Sequence, residues 1–537
     1  MRTPVVPASA RTAPRSPDHH RENRTITDGV RWWARTTPNR PAVVFDGTDE
    51  VGYAVLDRWT DDAARRLAGT GVRAGDRVGF GGANQLEWIV SAIGALKLGA
   101  VAVPFNNRFT AAELRYQLGD AEPVAVAVVA DATVRPAMSE AIGDAPIRLL
   151  SMESFAEQRP APDSPPTDPL PPPAVSPDDV AVIVYTSGTT SEPKGVTITH
   201  RGFVSFVTEF AVTEPVMRPG GRIIYVLSMS GMPGLPWHVL HPLTRGMTLF
   251  YERGFDAVAM LRRIAEQRVE VACGVPLLFE QMSAVPEFAD ADLSCVRLAT
   301  VAGARVSPDN LRLWLEKGVV LRQSYGMTEL HGLSSMNPAE EAVAHPEAIG
   351  RGSVFTPHRV VREDGSDCRP GEEGEIVARG PSITPGYWRK PEATAAAWRD
   401  GWFRTGDLGV ADGSGLIRMV DRMKDLIISG GYNIAPSEIE NVIAGLPGVD
   451  EVCVIPVDDD RFGETPAAVV HGDAVPDAAA VVAHCRNRLA GYKVPRYVIH
   501  RAEPLPRMAS GKIARRRVRD LYPDVPHTHH RVREESR

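Results

Sequence analysis

Lysine is scarce in this 537-residue chain: it fills seven of the 60 basic positions and arginine fills the other 53. A sequence so biased keeps an ammonium mainly where a guanidinium replaces it poorly, so each lysine deserves placing. Cysteine is also sparse. Cys273, Cys295, Cys368, Cys453 and Cys485 are odd in number and scattered, with no CxxC or Cys/His ligand spacing. That excludes a disulfide framework or a zinc cluster and reads as reduced thiols of a cytoplasmic protein. No window approaches 18 consecutive apolar residues, which excludes a spanning helix. The charge excess is small as well, a formal −7, and argues against nucleic acid or an anionic membrane as the main partner.

What is present divides along the chain. Residues 1–25 are rich in Pro, Arg, Ser and Thr and read as a disordered tail. A transit peptide is the compositional alternative, but no apolar h-region or cleavage pattern points to secretion. From Ala42 onward helical and strand patterns alternate. Leu56, Trp59, Ala63 and Leu67 form a helical stripe, Val78 and Phe80 a strand, Leu86 to Leu96 a second stripe, and Val101 to Val103 another strand. Such alternation predicts βα units around a largely parallel sheet. Ser307 and Pro308 read as the N-cap and first residue of a helix that Gly318 closes. The prolines of residues 159–177 forbid any regular element and mark a surface connector. A boundary near Asp421 separates a large domain, 26–420, from a compact unit, 421–521. Its helix opens at Pro436, and its strand Val452 to Ile455 is expected to end at Pro456. Residues 522–537 read as a solvated tail whose His529 and His530 lack the fixed geometry of a metal site.

The strongest local signal is Tyr185-Thr-Ser-Gly-Thr-Thr-Ser-Glu-Pro-Lys-Gly195, directly after the apolar run Val180 to Val184. Hydroxyls, backbone N–H groups and Lys194 in this density suit a phosphate cradle at a strand's carboxyl end. The spacing is not that of a P-loop, because Gly195 follows Lys194 where Ser or Thr would stand. Taken alone, a solvent-exposed Ser/Thr turn stays open. Further motifs follow in order: Ser324-Tyr-Gly-Met-Thr-Glu329, Gly401-Trp-Phe-Arg-Thr-Gly-Asp407, Asp421-Arg-Met-Lys-Asp-Leu-Ile-Ile-Ser-Gly-Gly-Tyr-Asn-Ile434 and Pro506-Arg-Met-Ala-Ser-Gly-Lys512. Together they resemble the acyl-adenylate-forming (AMP-dependent) synthetase/ligase superfamily, of the acyl-CoA/aryl-CoA ligase type, over residues 28–520.

The resemblance implies an α/β fold: a large N-terminal domain of βα-layered subdomains and a small mobile α+β C-terminal domain. It implies ATP, Mg²⁺, coenzyme A and a small carboxylic acid as cofactors and substrates, and leaves a homodimer open. Thr186, Ser187, Gly188, Thr189, Thr190 and Lys194 would then cradle the β and γ phosphates. Gly303, Ala304, Arg305, Tyr325 and Gly326 would lie on the adenine side. Thr328 would contact the α-phosphate, Glu329 would hold Mg²⁺, and Asp407 and Arg422 would reach the ribose. Lys512 would neutralise charge as the acid attacks, Lys424 would be the hinge, and Gly430 and Gly431 would admit the pantetheine arm.

Four of the seven lysines (Lys194, Lys424, Lys493 and Lys512) stand at motif positions. The sequence also departs from its relatives. Ser191 replaces a loop glycine, Arg305 ends Ala302-Gly-Ala-Arg where Pro is common, and Ser230 and Gly231 stand where an aromatic residue and His often line the acyl pocket. With Met232 and Met327 they form the expected pocket wall. The altered pocket keeps an alternative open: carrier-protein loading, or diazotase-type activation of nitrite.

Overall fold

The computed structural model describes residues 25–107, 109–128, 134–156, 159–161, 175–186, 193–230, 234–430, 432–508 and 512–532. The connector predicted at 159–177 falls mostly outside them, as do residues 1–24.

Two sheets form the large layered body. The first has eight strands in the order Ser335–Met336, Leu321–Tyr325, Leu298–Ala302, Val271–Gly274, Arg222–Tyr225, Thr248–Tyr251, Pro41–Phe45 and Asp49–Gly52. All neighbours are parallel except the two edge strands, which pair antiparallel. The second has six strands, Arg148–Ser151, Ala125–Val128, Arg77–Gly81, Val101–Phe105, Val180–Thr186 and Lys194–Thr199. Its last pair is antiparallel. The expected helical stripes become helices Tyr53–Gly69 and Leu86–Leu98. They approach closely because Gly94 stands where a Cβ would come within 2.8 Å of the Ala63 methyl. Lys97, fully buried on the second helix, is held by Asp57 at 2.5 Å and Asp61 at 2.7 Å. It is a paired core charge rather than a site group. Ser307 caps helix Pro308–Glu316 by accepting from the Asn310 N–H, and Gly318 follows with φ +78°.

The βα pattern does not continue past residue 340. A third, antiparallel sheet runs Ala348–Gly350, Ile417–Arg422, Trp402–Ala411, Glu373–Ala378 and His358–Val361. The change to a fourth sheet falls at the turn Met423–Asp425, just past Asp421. That sheet joins Tyr432–Ile434, Ile427–Ser429, Gly463–His471, Glu451–Asp459 and Tyr497–His500. Helix Pro436–Ala444 packs Ile439 and Ile443 on it.

Two expectations are corrected. Strand Glu451–Asp459 does not stop at Pro456. Pro456 faces Pro466 across an antiparallel pair, and Pro466 offers its carbonyl to Arg496 N on the far side. The two prolines therefore occupy a non-hydrogen-bonded pair, where neither N–H is wanted by the other strand. Residues 522–532 are also not a solvated tail. Val525 is buried beside Tyr497 and Leu505, Arg531 pairs with Asp459 at 2.6 Å, and Val532 N donates to the Arg496 carbonyl. Residues 533–537 lie outside the description.

Candidate active site

The loop predicted to cradle phosphate leaves the end of strand Val180–Thr186 and returns as Lys194–Thr199, with Thr186 opposite Lys194. It is thus the tip of a hairpin at a sheet edge and not a strand-to-helix turn. Ser187, Gly188, Thr189, Thr190 and Ser191 lie outside the described residues. At its base the Thr186 hydroxyl donates to the Lys194 carbonyl at 3.4 Å, and the Lys194 ammonium lies 4.9 Å from the Tyr387 ring centre. Tyr185 turns away and donates to Asp120 at 2.7 Å.

Tyr387 was missed in the sequence. Its hydroxyl donates to Glu329 Oε1 at 2.8 Å, so one phenol ties the hairpin lysine to the acidic residue of a different sheet. Segment 386–388 reaches there because Trp388 N donates to Gly195 O and Thr197 N to Gly386 O, stitching it to the returning hairpin strand. Pro385-Gly386-Tyr387 carried only the signal of a turn with an aromatic residue. Glu329 sits in the short helix Thr328–Leu330 and is 6% exposed, and burial raises its pKa above the usual carboxylate range. Thr328 and Met327 are half-buried beside it, and Met327 packs against the cluster of Tyr325 and Leu330. Gly326 is bare because a Cβ there would strike the Gly332 carbonyl oxygen at 2.2 Å.

The other half of the site gathers on Asp407. It lies on strand Trp402–Ala411 directly opposite Arg422, 2% exposed. Tyr325 donates its hydroxyl to Asp407 Oδ2 at 2.7 Å, and Arg422 Nε lies 3.4 Å from Oδ1. Burial raises the carboxyl's pKa, against the pull of Arg422, the Tyr325 hydrogen bond, Lys512 and Lys424. Lys424 and Lys512 answer in the opposite sense: desolvation, then the nearby Arg422, lowers both. Lys512 is exposed overall and yet lies against Gly303, where a Cβ would come within 2.9 Å of its Cε. Gly303 itself has φ +92°, a left-handed conformation that suits glycine. Ala304 beside it accepts at its carbonyl from Gln323 Nε2, and Arg305 Nη2 donates to the Met419 carbonyl at 2.9 Å. Arg305 thus turns toward strand Ile417–Arg422. Gly430, at φ +57°, donates its N–H to the Phe462 carbonyl on the small domain; Gly431 is outside the description.

Near the expected acyl pocket, Ser230 is 2% exposed and donates its hydroxyl to the Gly82 carbonyl at 3.3 Å. Gly231 and Met232 lie outside the described residues. The backbone just before Ser230 is pinned by Asn84, also missed in the sequence. Its Oδ1 accepts from Met229 N at 3.0 Å, and its Nδ2 donates to the Val226 carbonyl at 3.2 Å and the Leu227 carbonyl at 3.3 Å. A seven-residue π-helical segment, Gly234–Leu240, follows.

A guanidinium beside one buried carboxylate, a second carboxylate held by a phenol, and a lysine at the base of a hairpin suit an adenylate-forming enzyme on this two-part α/β fold. The chain belongs to the AMP-binding enzyme family: its model matches residues 30–388, and that of the AMP-binding enzyme C-terminal domain matches 438–512. It is 37% identical to a feruloyl-CoA synthase from an Amycolatopsis species over 90% of this chain and 96% of that one. It superposes on ATP-bound MatB from Rhodopseudomonas palustris with a TM-score of 0.84, at 29% identity, covering 93% of this chain and 99% of that one. Apo MatB gives 0.71 at the same identity and coverage. The activity is that of an AMP-forming acid–CoA ligase.

Proposed function

We propose that Asp407, Arg422, Lys512, Glu329 and the 186–194 hairpin carry both nucleotide binding and acyl transfer in this enzyme. The enzyme activates a carboxylic acid with ATP, releases pyrophosphate, and passes the acyl group to coenzyme A with release of AMP. The observation that carries the residue roles is that Arg422, 3.4 Å from Asp407, and the fields of Lys512 and Lys424 all act on a single buried carboxylate. Such a group holds surplus positive charge, and a polyphosphate supplies the missing negative charge.

Asp407 has one oxygen engaged by Tyr325 and the other near Arg422, and each oxygen retains a lone pair for a ribose hydroxyl. Among the described residues no group of three or more His, Cys, Asp or Glu is placed to hold a metal. A single carboxylate, Glu329, with Tyr387 on only one of its oxygens, fits Mg²⁺ bound mainly through substrate phosphates and water. There Mg²⁺ supplies charge neutralisation on the phosphate oxygens. Lys194 and the hairpin hold the leaving pyrophosphate, while Lys512 faces the substrate carboxylate and the α-phosphate. As the carboxylate oxygen attacks the α-phosphorus and the bond to pyrophosphate breaks, negative charge moves along the row of ammonium groups. In the second step the coenzyme A sulfur attacks the acyl carbonyl, and AMP departs.

The pocket points to an acid larger than acetate. Ser230 and Gly231 take little room, and Asn84 fixes the wall before them so that it does not collapse inward. The Ser230 hydroxyl, already donating to Gly82, retains lone pairs for a substituent that donates a hydrogen bond. A cytoplasmic location accords with five free thiols. Pyrophosphate release across a panel of aliphatic, aryl-alkenoic and aryl acids, with and without coenzyme A, tests the reading. Bulky acids should turn over with AMP and thioester in equal amounts. A preference for acetate would overturn the pocket reading, and turnover indifferent to coenzyme A would overturn the acceptor.

A further inference from the structure

Helix Pro436–Ala444, the first of the small domain, begins without a cap of its own. Its N-cap position is Ala435, which has no side-chain acceptor, and Pro436 supplies no N–H. The acceptor comes from the other side of the hinge. Asp421, on the last strand of the third sheet and 7% exposed, accepts from Ser437 N at 2.9 Å through Oδ2 and from Arg422 N at 2.7 Å through Oδ1. The Ser437 hydroxyl in turn donates to the Val420 carbonyl at 2.7 Å. Between Asp421 and Ser437 lies the turn with Lys424. A rotation of the small domain about that turn carries Ser437 away from Asp421 and Val420. Arg305 of the large domain stands over the same seam, bonded to Met419; burial and the neighbouring Arg418 lower its pKa, against the pull of Glu347, Asp421 and Glu438.

We infer that Asp421 and Ser437 form a pose-specific latch: by capping the first helix of the small domain from outside it, Asp421 holds Lys512 in the adenylation cleft, and the cap must break before acyl transfer to coenzyme A. Asp421 is a positioning residue that acts through Ser437 and never touches substrate. The carboxylate also abuts the Arg422 backbone, and Arg422 stands opposite Asp407, so the latch lies on the strand paired with that of the ribose acceptor. The inference rests on the two-pose reading of the enzyme.

Both half-reactions are measured separately on full-length Asp421→Ala, Asp421→Asn and Ser437→Ala, beside Lys512→Ala. Losing the cap should slow pyrophosphate exchange about tenfold, the scale of one helix cap. Thioester formation from supplied acyl-adenylate should stay unchanged or rise. Asp421→Asn, keeping one acceptor oxygen, should fall between wild type and Asp421→Ala. Ser437→Ala, which keeps its N–H, should show a smaller shift in the same direction without loss of fold. Equal losses in both half-reactions, or an unchanged ratio, overturn the latch while Lys512→Ala still separates the two steps. If Lys512→Ala itself damages both steps equally, the two-pose reading fails and the latch with it.

Discussion

Asp407 is held by a phenol, a guanidinium and the field of two ammonium groups, and it is still raised above the usual carboxylate range because burial outweighs them. Its carboxylate form is therefore lost at higher pH than in a free side chain, and acidification should raise the KM for ATP early. Removing the Tyr325 hydroxyl takes away a hydrogen bond that favours the charged form. Tyr325→Phe should thus move the acid limb of ATP use to higher pH and raise the KM for ATP by roughly fivefold, about one net hydrogen bond. An acid limb unmoved in kcat/KM for ATP would separate Asp407 from ribose recognition. Lys512 behaves oppositely. Its folded pKa is lowered, so its ammonium is present below that value and lost as the pH rises through it. Lys512→Ala should cost adenylation about a hundredfold or more, the scale of losing a preorganised charge contact. Lys512→Arg, charged at all working pH, should remove the alkaline limb of pyrophosphate exchange while lowering its maximum.

At the scale of elements, legibility followed local pattern. The helices Tyr53–Gly69 and Leu86–Leu98 repeat apolar side chains at helical spacing, and Ser307-Pro308 with Gly318 marks both ends of another; all were readable because each signal lies within its own segment. The reach of strand Glu451–Asp459 was not. Pro456 is harmless only because another proline stands opposite it, a long-range fact of register. The motif residues of the site were readable as chemistry, but Tyr387 and Asn84 were not, since each acts on a partner more than 50 positions away. Asn84 tests this. It joins the turn after strand Arg77–Gly81 to the backbone of 226–229, a cross-sheet brace made by one amide. Asn84→Ala leaves buried backbone groups unpaired, which costs about 1–3 kcal/mol. The expected result is a lower Tm and a raised KM for the acid, with the KM for ATP little changed. A variant with an unaltered acid KM would remove the brace from the pocket.

For the whole molecule, the proposed roles give the small domain groups for two different jobs, and Lys512 is the one that lies against the large domain. Lys512 lies against Gly303, while Gly430 lies at a turn on the small domain's own sheet, its neighbour Tyr432 exposed. If the domain turns between steps, damage at Gly430 should appear in the second step alone. Gly430 has φ +57°, and a Cβ there would meet Phe462 Cδ1 at 2.8 Å, so even alanine perturbs the turn. The strain of an alanine in this conformation is about 1–2 kcal/mol, and Phe462 is the side chain that must yield. Gly430→Ala should therefore leave pyrophosphate release within about twofold, since that step loses no contact in the cleft. Thioester formation from supplied acyl-adenylate should fall roughly tenfold if this turn admits the pantetheine arm, since the turn is then displaced. Stopped-flow assays of the two steps decide the matter. A loss confined to pyrophosphate release would place the coenzyme A approach elsewhere, and a loss shared by both would mean that the two faces of the small domain are not used in turn.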